Sequence, residues 1–268
     1  SALDAVELMN VGINYMREHM PDGARVHYAY LDAGGKAPNV VQHKATVRQL
    51  IRAKDLPELR ALVARVKDIA EGAALMTQTK VEPKVFSGVS NLIGNRPLEE
   101  AMQSEMDRLG PIAFDDEDRA FAREMQKTFS KDEIAASFRR CGMPPPDESM
   151  ALCDFVAPLD LPNGGGNGST DVGDVSWAVP TVQARIATCA VGTVFHTWQT
   201  VAQGKTPAAH KGMVYAAKVM AATAKQLIED PSLRAKAKSE LDAYLKKTPY
   251  VSPLPPDAQP PIIPKAAS

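Results

Sequence analysis

The sequence predicts an α/β protein in which a small unit of two helices on a sheet is followed by a longer, mostly helical stretch. Three observations carry this. Apolar residues recur at three- and four-residue steps in several windows, "RVHYAYL" alternates with a period of two, and 44% of the 268 residues are apolar, enough to build one large core or two.

The first helix is marked by Leu3, Val6, Met9, Ile13 and Met16, which form one apolar stripe, and Pro21-Asp22-Gly23 stops it. The chain opens on Ser1 and enters this periodicity at once, which suggests a processed or partial polypeptide. In "RVHYAYL", Val26, Tyr28 and Tyr30 share one face of a half-buried strand. A loop through Gly34, Gly35 and Pro38 leads to a second strand pattern in "NVVQHKATVRQLIRA". Asp55 with Glu58 then opens a helix whose Leu59, Leu62, Val63, Val66 and Ile69 lie on one side. A third strand is expected around Thr79 to Phe86, completing one sheet layer covered by two helices.

From Asn91 the pattern turns helical. Amphipathic windows run over Pro97–Leu109 and Asp115–Phe129, and Ser130 with Glu133 caps a third helix that ends at Cys141-Gly142 before a triple proline. "MALCDFVAPLDLP" reads as extended, and "VQARIATCAVGTVFHTWQ", rich in β-branched residues, reads as strand-like. His210–Ile228 is a long helix rich in small residues, Asp230-Pro231 opens another, and a Pro-rich tail begins at Pro249.

Charge and composition exclude several classes. Thirty-one basic residues against 32 acidic ones give a net charge of -1, which leaves no electrostatic footprint for nucleic acid or an anionic membrane. No apolar run approaches the ~20 residues of a membrane span, and no signal core follows Ser1. Cys141, Cys153 and Cys189 are odd in number and lack CxxC spacing, so the expected setting is reducing and cytoplasmic.

Candidate chemistry concentrates late in the chain. "PNGGGNGSTDVGDVSWAVPT" crowds five glycines, Gly166 among them, against Ser169, Thr170, Asp171 and Asp174. It lacks the lysine of a Walker loop and the spacing of a dinucleotide fingerprint, which leaves a flexible linker or a binding rim. His196 in "GTVFHTWQ" and His210 at a helix start are either structural histidines or ligands. Two histidines alone do not make a zinc site, and no HExxH spacing supplies the rest. Glu99 and Glu100 sit at a helix start, where acids favour the dipole, and receive no chemical role.

The runs "SALDAVELMNVGINYMREHM", "APNVV", "NGSTDVGDVSWAVPT", "GTVFHTWQ", "AHKGMVYAAKVMAAT" and "YVSPLP", in this order from Ser1 to about Pro255, resemble the aminoacylase and carboxypeptidase-G class of dinuclear metallo-amidohydrolases. The resemblance implies that residues 1–88 form a lid and dimerisation domain without its first strand. Residues 89–250 would be the C-terminal part of a larger α/β catalytic domain, and 251–268 a Pro-rich tail. The N-terminal half of such an enzyme, with most metal ligands and the glutamate general base, has no counterpart among these runs.

By the same resemblance the reaction is metal-dependent hydrolysis of the amide of an N-acyl amino acid, such as p-aminobenzoyl-glutamate or a related aryl amide. Two divalent ions, zinc or manganese, are implied, with His210 as the last ligand. Asn39 matches a lid asparagine that donates to substrate, or it stabilises the turn after Pro38. Arg52 matches a lid arginine that clamps a carboxylate, or it is a solvated strand-end charge. Gln42 and His43 stand where family members often carry Pro-Asp. Gly166, Ser169, Thr170, Asp171 and His196 would face the substrate. Implied partners are the absent half or a chain supplying it, a second copy through the lid, and a paired A-type subunit. The alternative is a non-catalytic lid and scaffold module that dimerises or regulates an intact partner.

Overall fold

The computed structural model describes residues 1–140, 143, 150–161 and 168–259. They fall into two compact units, Leu92–Tyr250 and Ser1–Asn91, the latter joined by the described residues that begin at Val251. Among the described residues no helix is long and apolar enough to cross a membrane.

In the first unit, helix α1 (Ala2–Met16) is capped by the Ser1 hydroxyl, which accepts from the Asp4 amide at 3.3 Å. Strand β1 (Arg25–Asp32) pairs antiparallel with β2 (Thr46–Arg52), Val26 opposite Ile51 and Tyr28 opposite Gln49. Of the expected face Val26 alone is buried, whereas Tyr28 and Tyr30 stay exposed, so the alternation of the sequence is not matched by alternating burial. Ile13 and Met16 of α1, Val26, and Leu62 and Val66 of helix α2 (Leu56–Thr77) bury together, with Ile51 packed beside them. Asn10 of α1 is buried with them. Its amide donates to the Tyr30 hydroxyl at 3.3 Å and its carbonyl accepts from Gln49 at 3.1 Å, which joins the helix to both strands. Asp55 caps α2 by accepting from the Glu58 amide at 3.0 Å, while the Glu58 carboxylate reaches back to Lys54 instead of to the cap residue.

The third strand expected at 79–86 is not formed. The segment after α2 is extended but joins no ladder, and among the described residues the sheet holds β1 and β2 alone. A strand is defined by its partner's hydrogen bonds, so a good β pattern without a neighbour remains an extended segment outside any sheet. The described tail belongs to this unit: Arg60 donates to the Val251 carbonyl at 2.7 Å.

The second unit is built on α3 (Arg96–Leu109), α4 (Asp116–Gln126), α5 (Lys131–Arg140), α6 (Val172–Ala178), α7 (Trp198–Gln203), α8 (Pro207–Glu229) and α9 (Pro231–Lys247). Helix α3 packs against α8 and α9. Buried Asn95, just before α3, donates to the Ala237 carbonyl at 2.9 Å, and buried Glu105 accepts from Arg108 at 2.7 Å and Gln226 at 3.1 Å. The core gathers Phe114, Met125, Leu152, Ala190 and Ala208. Both reciprocal bonds of the Ser130/Glu133 box form, at 3.2 Å and 2.7 Å, and hold the Glu133 carboxyl below its ordinary range.

The strand-like reading of "VQARIATCAVGTVFHTWQ" is also corrected: residues 182–197 carry no ladder, and the last two residues of the run begin α7. Val182, Ala184 and Ile186 are nonetheless more covered than Gln183 and Arg185, so the period-two burial is real and the pairing is missing. Helix α8 begins at Pro207 rather than His210, because Thr206 caps it, accepting from Ala209 at 3.2 Å, and proline suits the first turn.

Gly212 shows why α8 can lie so close to this segment. A Cβ there would stand 2.2 Å from the Ala187 carbonyl oxygen, a backbone atom that cannot swing away. Gly212→Ala is expected to cost about 1–3 kcal/mol, read as a lower denaturant midpoint with an unchanged slope.

Candidate functional site

The candidate residues fall into two sets, one in each unit. In the first unit, Asn39 is exposed in a turn closed by the Val40 amide, which donates to the Ala37 carbonyl at 3.2 Å. The geometry follows from Pro38, whose fixed φ suits the second position of a tight turn. Arg52 ends β2 opposite Arg25 and is half-buried.

In the second unit the rim leads into α6. Gly166 lies outside the described residues. Ser169 and Asp171 are exposed. The Thr170 hydroxyl accepts from the Val172 amide at 3.3 Å and lies 3.4 Å from the Asp171 carboxylate. Thr170 therefore does the local capping, and the Asp171 side chain makes no cap bond. Behind this rim α6 is firmly anchored. The buried Ser176 hydroxyl accepts from the Ile93 amide at 2.9 Å and donates to the Gly173 carbonyl at 2.5 Å. Trp177, 3% exposed, packs against Tyr244 and Tyr250, and the Tyr250 hydroxyl donates to Asp174 at 2.8 Å.

His196 is exposed with φ of 65°, a left-handed backbone uncommon outside glycine. The hydroxyls of Thr197 and Thr200 hold the turn, donating to the Val194 carbonyl at 2.7 Å and 2.9 Å. His210 occupies the first turn of α8, where its amide donates to the Thr206 carbonyl at 3.1 Å. Its exposed ring lines an open groove of about 460 Å³ with Leu109, Ile112, Val214, Tyr215 and Lys218. Ser169, Thr170, Asp171 and His196 do not line that groove.

Lys211, next to His210, has a different task. Its ammonium binds Asp115 at 2.5 Å and also Asp118, whose side chain is 2% exposed, and these two aspartates form the reciprocal cap of α4. Lys211 is held above its ordinary 10.5 first by Asp115 and then by Asp118. Asp115 is held below its ordinary 3.8 first by Lys211 and then by the Asp118 amide. The aspartate's contribution is complete above 3.8 and fades as pH falls through its depressed folded value. The lysine's is complete below 10.5 and fades as pH rises through its raised folded value. Lys211→Met is therefore expected to lower stability at neutral pH and to flatten the loss at both extremes, as read by thermal melts from acid to alkaline pH.

Sequence reasoning missed this cluster and the Trp177 anchor, since both join residues far apart in the chain. The acids at Asp115 and Asp118, three apart before an apolar-periodic window, were the available signal for the first. Cys153 and Cys189 are thiols outside any disulfide, and burial pushes the Cys189 thiol up. Among the described residues no group of three or more His, Cys, Asp or Glu side chains converges as a metal site. His210 fits the role of one imidazole ligand, exposed on a groove wall, and the other donors of a metal centre are not present beside it among the described residues.

No family model matches the chain. It is 40% identical, over 97% of its own length, to 56% of the B subunit of p-aminobenzoyl-glutamate hydrolase from Escherichia coli (strain K12). It is 25% identical, over 92% of its length, to 47% of Xaa-Arg dipeptidase of Mus musculus. The chain thus spans about half the length of the curated relatives it matches.

Proposed function

Because the chain is 40% identical, over 97% of its length, to the B subunit of p-aminobenzoyl-glutamate hydrolase, we propose that it is part of a metallo-amidohydrolase. The substrate is an N-acyl amino acid, with p-aminobenzoyl-glutamate the first to test. The sustained identity carries this reading, and it concerns the complete protein: these residues together with a counterpart of the relative's remaining length, in the same polypeptide or in a partner chain.

Amide hydrolysis needs an activated water, a proton carrier and donors where the carbonyl oxygen becomes an oxyanion. Two bound divalent ions, zinc or manganese, would supply the activated water and polarise the carbonyl. His210 is proposed to give one ring nitrogen to that centre; its exposure on the groove wall leaves the ring accessible. Arg52 would hold a substrate carboxylate, for which a guanidinium fork suits both oxygens. Asn39 would donate from its turn, and Ser169, Thr170, Asp171 and His196 would contact the substrate at the rim. The general base comes from polypeptide outside these residues. The first unit serves as lid and as the contact for a second copy, an A-type subunit is a further partner, and the cytoplasm is the expected setting.

The test is the divalent metal content of the complete protein and its release of p-aminobenzoate from p-aminobenzoyl-glutamate. Bound metal with turnover is expected, and the isolated 268-residue chain is expected to show none. An assembled protein that binds no divalent metal and leaves the amide intact would end this reading.

A further inference from the structure

The chain passes from its first unit into its second between Asn91 and Leu92 and returns between Tyr250 and Val251. Helix α6 holds both connections on the second-unit side. The Ile93 amide, just past the first junction, donates to the hydroxyl of Ser176, a residue 1% exposed, at 2.9 Å. Tyr250, the last residue before the second junction, donates its hydroxyl to Asp174 at 2.8 Å and sets its ring against Trp177 at 5.6 Å. Asp174 and Trp177 are three apart and share one side of the helix, whereas Ser176, about 200° around from Asp174, faces the other. Helix α6 therefore stands between the two connections and grips one on each side within a single turn. On the first-unit side the same connections meet again. A Cβ on Gly88 would stand 3.0 Å from the Cβ of Pro253, and the Val251 carbonyl is held by Arg60 of α2 at 2.7 Å.

The rim residues lead straight into this clamp. The Gly173 and Asp174 amides donate to the Thr170 and Asp171 carbonyls at 3.0 Å and 3.1 Å, so a displacement of the rim carries the first turn of α6 with it. Seven residues are too few to hold a helix by its own hydrogen bonds, so its grips decide where α6 lies. We infer that α6 is a mechanical link between the rim and the first unit, with Asp174, Ser176 and Tyr250 as its positioning residues. A substrate that orders Thr170 and Asp171 would set both connections at once, and with them the presentation of Arg52 and Asn39 from the first unit. This part rests on the proposed function, whereas the clamp concerns only residues of this chain. Coupling is reciprocal, so loosening the grip on one connection loosens the grip on the other.

Amide hydrogen exchange of the 268-residue chain tests the clamp without any substrate. Tyr250→Phe keeps a ring on Trp177 and removes the hydroxyl bond to Asp174. Exchange of the Ile93 amide, whose bond is to Ser176 on the other side of α6, is expected to rise about 10-fold, while the amide of Val219, buried in α8, keeps its rate. Asp174→Asn retains an acceptor oxygen and should leave Ile93 protected. An Ile93 rate that stays unchanged in Tyr250→Phe, or that rises only in step with Val219, would overturn the inference. So would an Asp174→Asn chain in which Ile93 exchanges as fast as in Tyr250→Phe. In the complete protein, Tyr250→Phe should lower kcat/KM for p-aminobenzoyl-glutamate about 10-fold at unchanged metal content. Arg52→Ala should then cost at least ~3-fold less in that background than by itself, because the link that presents Arg52 is already loosened. Additive losses would overturn the link between rim and first unit. A complete protein that neither binds metal nor cleaves the amide would end the hydrolase reading, and the exchange rates would still decide the clamp.

Discussion

Trp177→Ala is expected to destabilise the second unit by about 3–5 kcal/mol, the cost of deleting a large buried side chain whose cavity cannot fully collapse. The indole is 3% exposed and meets two rings, Tyr244 at 5.5 Å and 75° and Tyr250 at 5.6 Å and 42°. The edge-on approach of Tyr244 places a ring edge against a π face, an arrangement worth about 0.5–1.5 kcal/mol beyond the area buried. Helix α6 is only 7 residues long and too short to persist by its own hydrogen bonds, so packing decides whether it forms. Denaturant unfolding followed by far-UV circular dichroism measures the loss. Trp177→Phe, which keeps a ring in the site, should recover more than half of it. A loss below about 1 kcal/mol for the alanine variant would mean that α6 is held by Ser176 and its bonds instead. Since α6 carries Asp171 and Thr170 at its start, the variant should also loosen the rim before it unfolds the helical core.

The sequence made some levels of this structure legible and hid others for identifiable reasons. Local signals survived. Leu3, Val6, Met9, Ile13 and Met16 do belong to one helix; Val26 does turn inward; and Asp55 and Ser130 stand at helix starts with their side chains bonded to the first turn. Each of these is decided within a few residues, where periodicity and capping act. The failures lie where a partner decides. Thr79–Phe86 and Val182–Thr197 carry β-like composition, yet pairing depends on a strand that local pattern cannot provide, and neither segment forms a ladder. The Lys211 link to Asp115 and the Tyr250 link to Asp174 are long-range for the same reason. At the candidate site only motif resemblance singles out the residues, because no physical pattern in the chain selects His210 over His196. The structure adds what resemblance could not: His210 lines a groove, whereas His196 sits in a left-handed turn away from that lining.

In the complete protein, His210→Ala is expected to reduce hydrolysis of p-aminobenzoyl-glutamate by at least ~10²-fold, since a metal centre that loses an imidazole ligand loses both affinity for the ion and control of its bound water. Metal occupancy should fall with the rate, and excess metal should restore part of both. Stability sets the control. The ring is exposed and its backbone amide, not its side chain, joins the helix, so the 268-residue chain should melt within about 0.5 kcal/mol of the unsubstituted one. Arg52→Ala supplies the contrast, because a group that binds a substrate carboxylate equally in ground and transition states raises KM and spares kcat. If His210→Ala instead left metal content intact and shifted only KM, the imidazole would be a substrate contact, and the last ligand would have to be sought elsewhere. If it lowered the melting temperature of the isolated chain in step with activity, the residue would be part of the scaffold of α8. Only a joint loss of ion and rate, with the fold preserved, is what a ligand at the head of this helix requires.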